Sequence, residues 1–373
     1  MPTHEPRVQV ALERAIELGE GGLQVAAYLG EELIVDQWAG YADVEAETPV
    51  TADTLFAVFS VTKGVTAAAV NMQAERRLLD LDAPIARYWP EFAQNGKERI
   101  TIRHVLSHRS GIPQMPAGIT TERMCDWEWM IDGLASEAPQ FETDTTNCYH
   151  GLNWGWLLAE VVRRTDPERR PFGRWVQEEI CRPLVIDSLF LGIPPEAAPQ
   201  VAKLFGPPAF VDDFGSMPAP AAPSAEIHNL QIVREACDPG AGAICNARSM
   251  ARFWAMLANG GQLGGVRLLE ENTLRNGLAL RKNPLDVDLM IKMVALVGRA
   301  GWWVGGPGNR LVGESPNILY NPGAGGSIAF ADLDQRLAIA ITHNNMGANP
   351  EGFIGVADAV RAVAAELGQR AAA

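Results

Sequence analysis

Apolar positions in the N-terminal part of the chain follow first a helical and then a strand period. Between residues 6 and 19 they recur at helical spacing, at Val8, Ala11, Leu12, Ala15 and Ile16. The next segments, LQVAAYLG and ELIVDQWAGYAD, alternate in polarity on either side of a turn at residues 30–32. This pattern predicts an amphipathic helix followed by a β-hairpin.

The middle of the chain has a different pattern from its end. From about residue 80 to residue 220 the period is mostly helical, with Pro and Gly breaks, and the Pro/Gly/Ala-rich stretch 205–224 predicts a long surface loop. MARFWAMLANGG then predicts a helix, NILYNPG, GSIAFAD and RLAIAITHNN predict three consecutive strands, and residues 351–368 predict a last helix. Helices and strands therefore bracket a mostly helical middle.

Composition and charge limit the class of protein. The 373 residues are 47% hydrophobic and 20% charged, as expected for a globular chain with a large core. The net charge is −14 and no basic stripe is present, so nucleic acid is not an expected partner. The N-terminus lacks a secretory signal pattern and no stretch is long enough to cross a bilayer, which predicts a cytoplasmic protein without a membrane partner.

The five cysteines lack Cys-x-x-Cys spacing. Scattered cysteines of this kind are typical of reduced thiols rather than of a disulfide framework or a zinc site. We therefore expect neither a structural metal nor a cofactor.

The stretch VFSVTKGV contains the only Ser-x-x-Lys of the chain, Ser60 and Lys63, at the start of a mostly apolar helix. A serine hydroxyl needs a base within hydrogen-bond reach to act as a nucleophile, and residues three apart share a helix face. Apolar surroundings lower the pKa of an amine, so that a neutral Lys63 can serve as that base. The alternative is a lysine that extends from an ordinary helix to solvent.

Two further stretches bear on this choice. NCYHGLNWGWLLAEVVRR places Tyr149 ahead of an apolar helix, where its phenol could relay the serine proton. YNPGAGGSIAFAD places a Gly-rich bend at a strand end, where backbone N–H groups can approach a substrate carbonyl. Each has a structural alternative: an aromatic at a helix start, and a tight turn.

In this order the motifs resemble the class C β-lactamase and penicillin-binding-protein superfamily, and most closely the family VIII carboxylesterases. Matching stretches run from TLFAVFSVTKGVTAAAV through TIRHVLSHRSGIP and YHGLNWGWLLAEVVRR to NPGAGGSIAFAD. The resemblance implies Ser60 as the acylated nucleophile, Lys63 as its base and Tyr149 as the proton relay. It also implies an oxyanion hole made by the N–H groups of Ser60 and Ala324.

The fold implied by the resemblance is mixed α/β and β-lactamase-like, with an antiparallel sheet flanked by helices and a mostly helical domain. We expect residues 1–75 and 225–373 to form the sheet domain and residues 76–224 the helical domain with its long loops. The site would lie between them, with Gly323 and Gly325 beside the substrate.

Two departures from the family pattern indicate the substrate. The β-lactamases and peptidases have Asn two residues after the tyrosine, where this chain has Gly151, and Lys-Thr-Gly where this chain has Asn321-Pro322-Gly323. An anionic amide substrate thus loses two contacts, which favours a neutral ester.

Trp302 and Trp303 could line an acyl or alcohol pocket, although core packing accounts for them equally well.

A Ser–His–Asp triad is a weaker interpretation. His104, His108, His150 and His343 are available, but no Gly-x-Ser-x-Gly motif is present and Ser110 lacks a strand-to-helix setting.

The sequence thus predicts a serine carboxylester hydrolase that acts on a small-molecule ester. The alternatives are an acyltransferase, an amidase or β-lactam hydrolase that uses the same acyl-enzyme, and a catalytically silent binding protein of the same fold.

Overall fold

A seven-stranded antiparallel sheet forms the centre of the computed structural model, which describes residues 4–207, 212–347 and 349–372. The strands of the described chain are β1 (Gly22–Leu29), β2 (Glu32–Asp43), β3 (Thr48–Pro49), β4 (Phe56–Ala57), β5 (Leu189–Leu191), β6 (Ala243–Cys245), β7 (Gln262–Leu263), β8 (Val266–Arg267), β9 (Trp303–Val304), β10 (Ile318–Pro322), β11 (Ile328–Asp332) and β12 (Leu337–His343). The spatial order in the large sheet is β3-β2-β1-β12-β11-β10-β9. Its centre is the pairing of β1 with β12, so both ends of the chain build it.

The α-helices are α1 (Pro6–Glu17), α2 (Thr62–Glu75), α3 (Ile102–Leu106), α4 (Thr121–Met124), α5 (Trp127–Ser136), α6 (Asn153–Thr165), α7 (Phe172–Val176), α8 (Ala225–His228), α9 (Gln231–Glu235), α10 (Ala247–Ala258), α11 (Glu271–Gly277) and α12 (Pro350–Ala372). Two of them cover opposite faces of the large sheet. His343 of β12 packs on Phe353 of α12, whereas Gln24, which pairs with the neighbouring Thr342, accepts a hydrogen bond from the first N–H of α10. Successive strand residues point to opposite faces, so α12 and α10 enclose the sheet between them.

The fold predicted from the sequence is confirmed. The first helix, the β-hairpin and the three consecutive C-terminal strands all form, and the last helix is a few residues longer than predicted. The division into two domains at residues 75 and 225 stays a prediction. None of the described helices has the length and apolar composition needed to cross a membrane.

The middle of the chain contains less regular helix than its periodicity predicts. Its helices α3 to α7 are mostly short and are joined by irregular segments, and β5 pairs with β6 in a second sheet. The predicted surface loop 205–224 has little regular structure in its described residues, 205–207 and 212–224. It is nevertheless not confined to the surface, because Ser216 and Ala221 are fully buried against the body of the protein. Residues 208–211 lie outside the described chain.

Candidate active site

Ser60 lies on a 3₁₀ turn, Phe59–Val61, immediately before α2. Phe59 has a φ of +47°, in the left-handed region that a bulky residue rarely adopts, so the surroundings must hold this turn. Thr62 does so at the start of α2: its Oγ1 donates to the Phe59 carbonyl at 2.5 Å and accepts the N–H of Ala243 at 2.9 Å. The serine is thereby fixed between the helix start and strand β6.

Lys63 is completely buried, and its amine has three hydrogen-bond partners. Its Nζ lies 3.0 Å from Ser60 Oγ, and it donates to the carbonyl oxygens of Gly151 at 2.7 Å and Gly240 at 2.9 Å. Burial lowers the pKa of Lys63 to about 7. The alternative interpretation from the sequence, a lysine that extends from an ordinary helix to solvent, is therefore wrong for this side chain.

The loop that supplies the Gly240 carbonyl is held by a buried carboxylate. Asp238 Oδ1 accepts the N–H groups of Gly240 at 2.7 Å and Ala241 at 3.1 Å. Burial raises the pKa of Asp238, while these hydrogen bonds and the Lys63 charge oppose the rise. The Asp238 charge in turn opposes the lowering of the Lys63 pKa, so this loop positions the amine and also tunes it.

Tyr149 closes the other side of the amine. Lys63 Nζ lies 5.2 Å from the centre of the Tyr149 ring, and the Tyr149 N–H donates to Asp288 Oδ1 at 2.9 Å. Burial raises the pKa of the phenol well above its usual value, and the adjacent Ser60 side chain opposes that rise. The phenol is therefore neutral, and a proton donor, across the range in which Lys63 titrates.

The end of β10 approaches the Ser60 turn from the sheet. A Cβ on Gly323 would lie 2.3 Å from the Val58 carbonyl, so this close approach requires glycine. The next turn, Ala324–Gly326, contains Gly325 at φ +84°, packed against Met346. Within the described chain, neither the Ser60 nor the Ala324 N–H donates a hydrogen bond to the protein. Both donors are thus free to bind another group.

Gly151 and Asn321 stand where the family pattern has other side chains. A Cβ on Gly151 would lie 2.6 Å from Met217 Cγ and 3.0 Å from Ser216 Oγ, so these two side chains fill the space. Ser216 Oγ also accepts the Gly151 N–H at 2.5 Å and donates to the Tyr149 carbonyl at 3.2 Å. Asn321 is buried, and its Oδ1 has no partner in the described chain.

The two tryptophans have different surroundings. Trp302 is fully buried and its Nε1 donates to the Gly64 carbonyl of α2 at 3.2 Å, so it belongs to the core. Trp303 packs edge-on against Tyr149, with ring centres 5.9 Å apart, and lines an apolar groove of about 680 Å³. Pro322, two residues before Ala324, lines the same groove. Only Trp303 borders the site.

A serine–histidine pair, separate from Ser60 and Lys63, lies below the site. Ser110 Oγ is 2.6 Å from His150 Nε2, and His150 Nδ1 contacts the Cys148 carbonyl at 2.7 Å. Burial lowers the pKa of His150 to about 4, and both side chains are inaccessible to solvent. Since the third partner is a backbone carbonyl rather than a carboxylate, this pair has the arrangement of a structural hydrogen-bond chain.

Several groups at the site were not found by sequence reasoning. They are the Gly240 carbonyl, Asp238 below it, Asp288 behind Tyr149, and the side chains of Ser216 and Met217. Gly240 and Asp288 lie more than 130 residues along the chain from the groups they bind. No local pattern could have assigned them, because a carbonyl acceptor or a filled volume leaves no motif.

Comparisons with known proteins agree with this fold. A family model described as Beta-lactamase matches residues 10–364. The "Esterase/beta-lactamase LipL" of Mycobacterium tuberculosis is 32% identical over 375 residues, covering 94% of this chain and 84% of that protein. A crystal structure of a family VIII carboxylesterase superposes with a TM-score of 0.87 at 29% identity, covering 96% of this chain and 97% of that one. A penicillin-binding-protein homologue from Caulobacter crescentus gives 0.86 at 29% identity, with the same coverage.

The fold and these relatives define a β-lactamase-fold serine hydrolase. The chain belongs to the Beta-lactamase family. The resemblance inferred from the motifs is thereby confirmed.

Proposed function

We propose that this protein hydrolyses neutral carboxylic esters through an acyl-enzyme on Ser60. The observation that carries the proposal is the buried Lys63 amine, 3.0 Å from Ser60 Oγ and held by the Gly151 and Gly240 carbonyls. These carbonyls engage two N–H groups of the amine. When the amine is neutral, its lone pair is left directed at the serine hydroxyl and can accept its proton.

The reaction then follows from the remaining donors. Lys63 takes the Ser60 proton as Oγ attacks the ester carbonyl, and the free N–H groups of Ser60 and Ala324 bind the developing oxyanion. The start of α2 adds its positive dipole end. Tyr149 gives its proton to the departing alcohol and recovers one from Lys63. A water molecule then repeats the sequence on the acyl-enzyme and releases the acid.

The surroundings of Gly151 and Asn321 support an ester rather than a β-lactam. Met217 fills the space beside Gly151, so no side-chain amide is available there to hold a substrate amide. Asn321 brings no positive charge for a substrate carboxylate. Each lost hydrogen bond to a buried group costs about 1–3 kcal/mol, roughly tenfold or more in rate. β-Lactam hydrolysis is the second candidate, because the name of the Mycobacterium tuberculosis relative includes both activities.

The apolar groove beside Trp303 is the proposed place for the apolar part of the ester. It is lined mostly by aliphatic side chains and borders both Pro322 and Trp303. A cavity of about 680 Å³ is large enough for a medium-length acyl or alkyl chain.

Two measurements test the proposal. A fluorophosphonate probe should label the peptide that carries Ser60, and Ser60→Ala should abolish labelling while Ser110→Ala retains it. The kcat/KM for p-nitrophenyl butyrate should then exceed that for nitrocefin by at least about a hundredfold, since two contacts are missing. An adduct on Ser110 would remove Ser60 from the reaction. Comparable kcat/KM values for the two substrates would replace the ester assignment by the β-lactam one.

A further inference from the structure

A second cavity, of about 400 Å³, collects positive charge in a chain whose net charge is −14. It lies where α3 meets the segment 280–299, and it is not lined by Ser60, Lys63, Tyr149 or Ala324. The cationic side chains that line it are Arg103, Arg109, Arg281, Lys282 and Arg299, and the acidic ones are Asp82 and Asp144. The linear sequence shows no basic stripe because these cationic residues come from two distant segments, 103–109 and 281–299.

Both carboxylates of this cavity already have cationic partners. Asp82 accepts two hydrogen bonds from Arg103, at 2.5 and 2.8 Å. Asp144 accepts from Arg109 Nε at 2.7 Å and from Lys282 Nζ at 3.1 Å. Their negative charge is therefore compensated within the wall. With Asp288, which pairs with Arg281 behind the wall, three carboxylates face five basic side chains, so basic groups remain in excess.

Three side chains of the wall retain unused donors. Arg299 is exposed, and no carboxylate of the described chain lies within 4 Å of its guanidinium. His104 Nδ1 accepts the Thr101 N–H at 3.1 Å, so the neutral ring carries its proton on Nε2. Arg281 is fully buried; its guanidinium donates to Asp288 Oδ2 at 3.2 Å, and its Nε has no hydrogen-bond partner in the described chain.

We propose that this cavity is an anion-binding site for a phosphate group, either free phosphate or a small phosphomonoester. Guanidinium groups match phosphate oxygens in geometry and charge, and a partly enclosed cavity strengthens each contact relative to open solvent. Arg299 and Lys282 at the rim would bind the anion from solvent, and His104 would donate a further hydrogen bond. The size of the cavity limits the ligand to a small molecule. The cavity shares no lining residue with the ester site, although Arg281 in its wall contacts Asp288, which accepts the Tyr149 N–H.

Isothermal titration calorimetry at constant ionic strength tests the proposal, with inorganic phosphate in one arm and glycerol 1-phosphate in the other. The wild-type protein should bind at least one of them saturably, and Arg299→Gln should weaken that binding about tenfold or more, because it removes a charged donor. Lys282→Gln is a second rim variant. Arg14→Gln, which removes an exposed arginine on α1, is the matched charge control and should bind within about twofold of wild type.

The two arms distinguish the source of the phosphate. Equal affinity for both ligands assigns the site to the phosphate group alone, whereas tighter binding of glycerol 1-phosphate assigns it to a phosphomonoester. The proposal is overturned if neither ligand gives saturable binding. It is also overturned if the rim variants bind as tightly as the Arg14→Gln control, since the attraction would then be only that of general charge.

Discussion

Gly155 of α6 lies directly against the backbone of Gly240, so closely that a Cβ on Gly155 would stand 2.1 Å from the Gly240 nitrogen. The Gly240 carbonyl is one of the two that hold the Lys63 amine. The contact therefore connects the packing of α6 to the position of the base. Such an approach is possible only without a side chain at residue 155.

We expect Gly155→Ala to lower both stability and activity. The new methyl group must push the Gly240 loop away, and its carbonyl moves with the loop. Overpacking of this kind typically costs about 1–3 kcal/mol in the free energy of unfolding. Urea denaturation and the kcat/KM for p-nitrophenyl butyrate measure the two effects. Gly355→Ala within α12 is the matched control, because a Cβ there meets no atom within 4 Å. It should leave activity unchanged and raise the free energy of unfolding by about 0.5–1 kcal/mol, the gain in helix propensity.

Lys63 should set the pH dependence of acylation. Only the neutral amine accepts the serine proton, and burial lowers its pKa to about 7. The acylation rate should therefore fall about tenfold per pH unit below 7 and level off above 8. Stopped-flow measurement of the acylation burst gives this profile. A rate independent of pH between 5 and 8 would contradict a lysine base.

Lys63→Arg keeps the positive charge but cannot deprotonate in a protein. We expect it to reduce the acylation rate by about 10²–10⁴-fold. Lys97→Arg is the matched control: Lys97 is also fully buried and also donates to backbone carbonyls, those of Ala135 and Glu137, away from the site. Acylation by a folded Lys63→Arg variant within threefold of wild type would leave the lysine only an electrostatic role.

Short-range patterns in the sequence predicted the main helices and strands and one side-chain neighbourhood at the candidate site, whereas the fold was implied by the family resemblance. The spacing of Ser60 and Lys63 predicts neighbours on one helix face, and the structure places their side chains 3.0 Å apart. Alternating polarity similarly predicts the pairing of β1 with β2. Each of these relationships lies within a few turns of helix or one hairpin, so it leaves a short-range pattern.

Tertiary contacts explain what the sequence could not predict. The stretch 205–224 is rich in Pro and Gly and predicts a surface loop, yet Ser216 and Met217 pack beside Gly151. The cationic cavity likewise depends on how α3 meets residues 280–299. Neither arrangement has a period or a motif, because it depends on which distant segments the fold brings together.

Because Met217 fills the space beside Gly151, we can predict the effect of introducing Asn, the residue that the β-lactamases have at this position. Gly151→Asn should lower esterase activity without creating β-lactam hydrolysis, since the new side chain collides with Met217 and displaces the Gly151 carbonyl from Lys63. Gly151→Asn combined with Met217→Ala should recover part of the lost esterase activity, because the second change opens the space. The kcat/KM values of the two single variants and the double variant measure this coupling. Additive losses would show that Met217 is not the obstacle.

The apolar groove should control the length of ester chain that is accepted. Ile354 of α12 lines this groove, and Ile354→Trp would occupy part of its volume. We expect kcat/KM for p-nitrophenyl octanoate to fall at least about tenfold relative to p-nitrophenyl acetate, since each excluded methylene forfeits about 0.8 kcal/mol of burial. Ile232→Trp, at an exposed position outside the groove, is the control. An unchanged preference for chain length in Ile354→Trp would place the ester chain elsewhere.

Tyr149→Phe separates the role of the Tyr149 hydroxyl from that of its aromatic ring. Phenylalanine preserves the packing on His108, at 4.5 Å between ring centres, and on Trp303, so only the hydroxyl is lost. If that hydroxyl protonates the departing alcohol, the loss should depend on the leaving group. p-Nitrophenolate departs without a proton, whereas an alkoxide needs one. We therefore expect a larger fall in the single-turnover acylation rate for ethyl butyrate, about 10²–10⁴-fold, than for p-nitrophenyl butyrate.

The buried Tyr28 of β1 provides the matched control for this substitution. Tyr28→Phe removes a hydroxyl from the core of the sheet and should reduce acylation by neither ester. Equal losses for both esters in Tyr149→Phe would show that the phenol does not act on the leaving group. The phenol would then act earlier, on the proton of Ser60, whose side chain is adjacent to it.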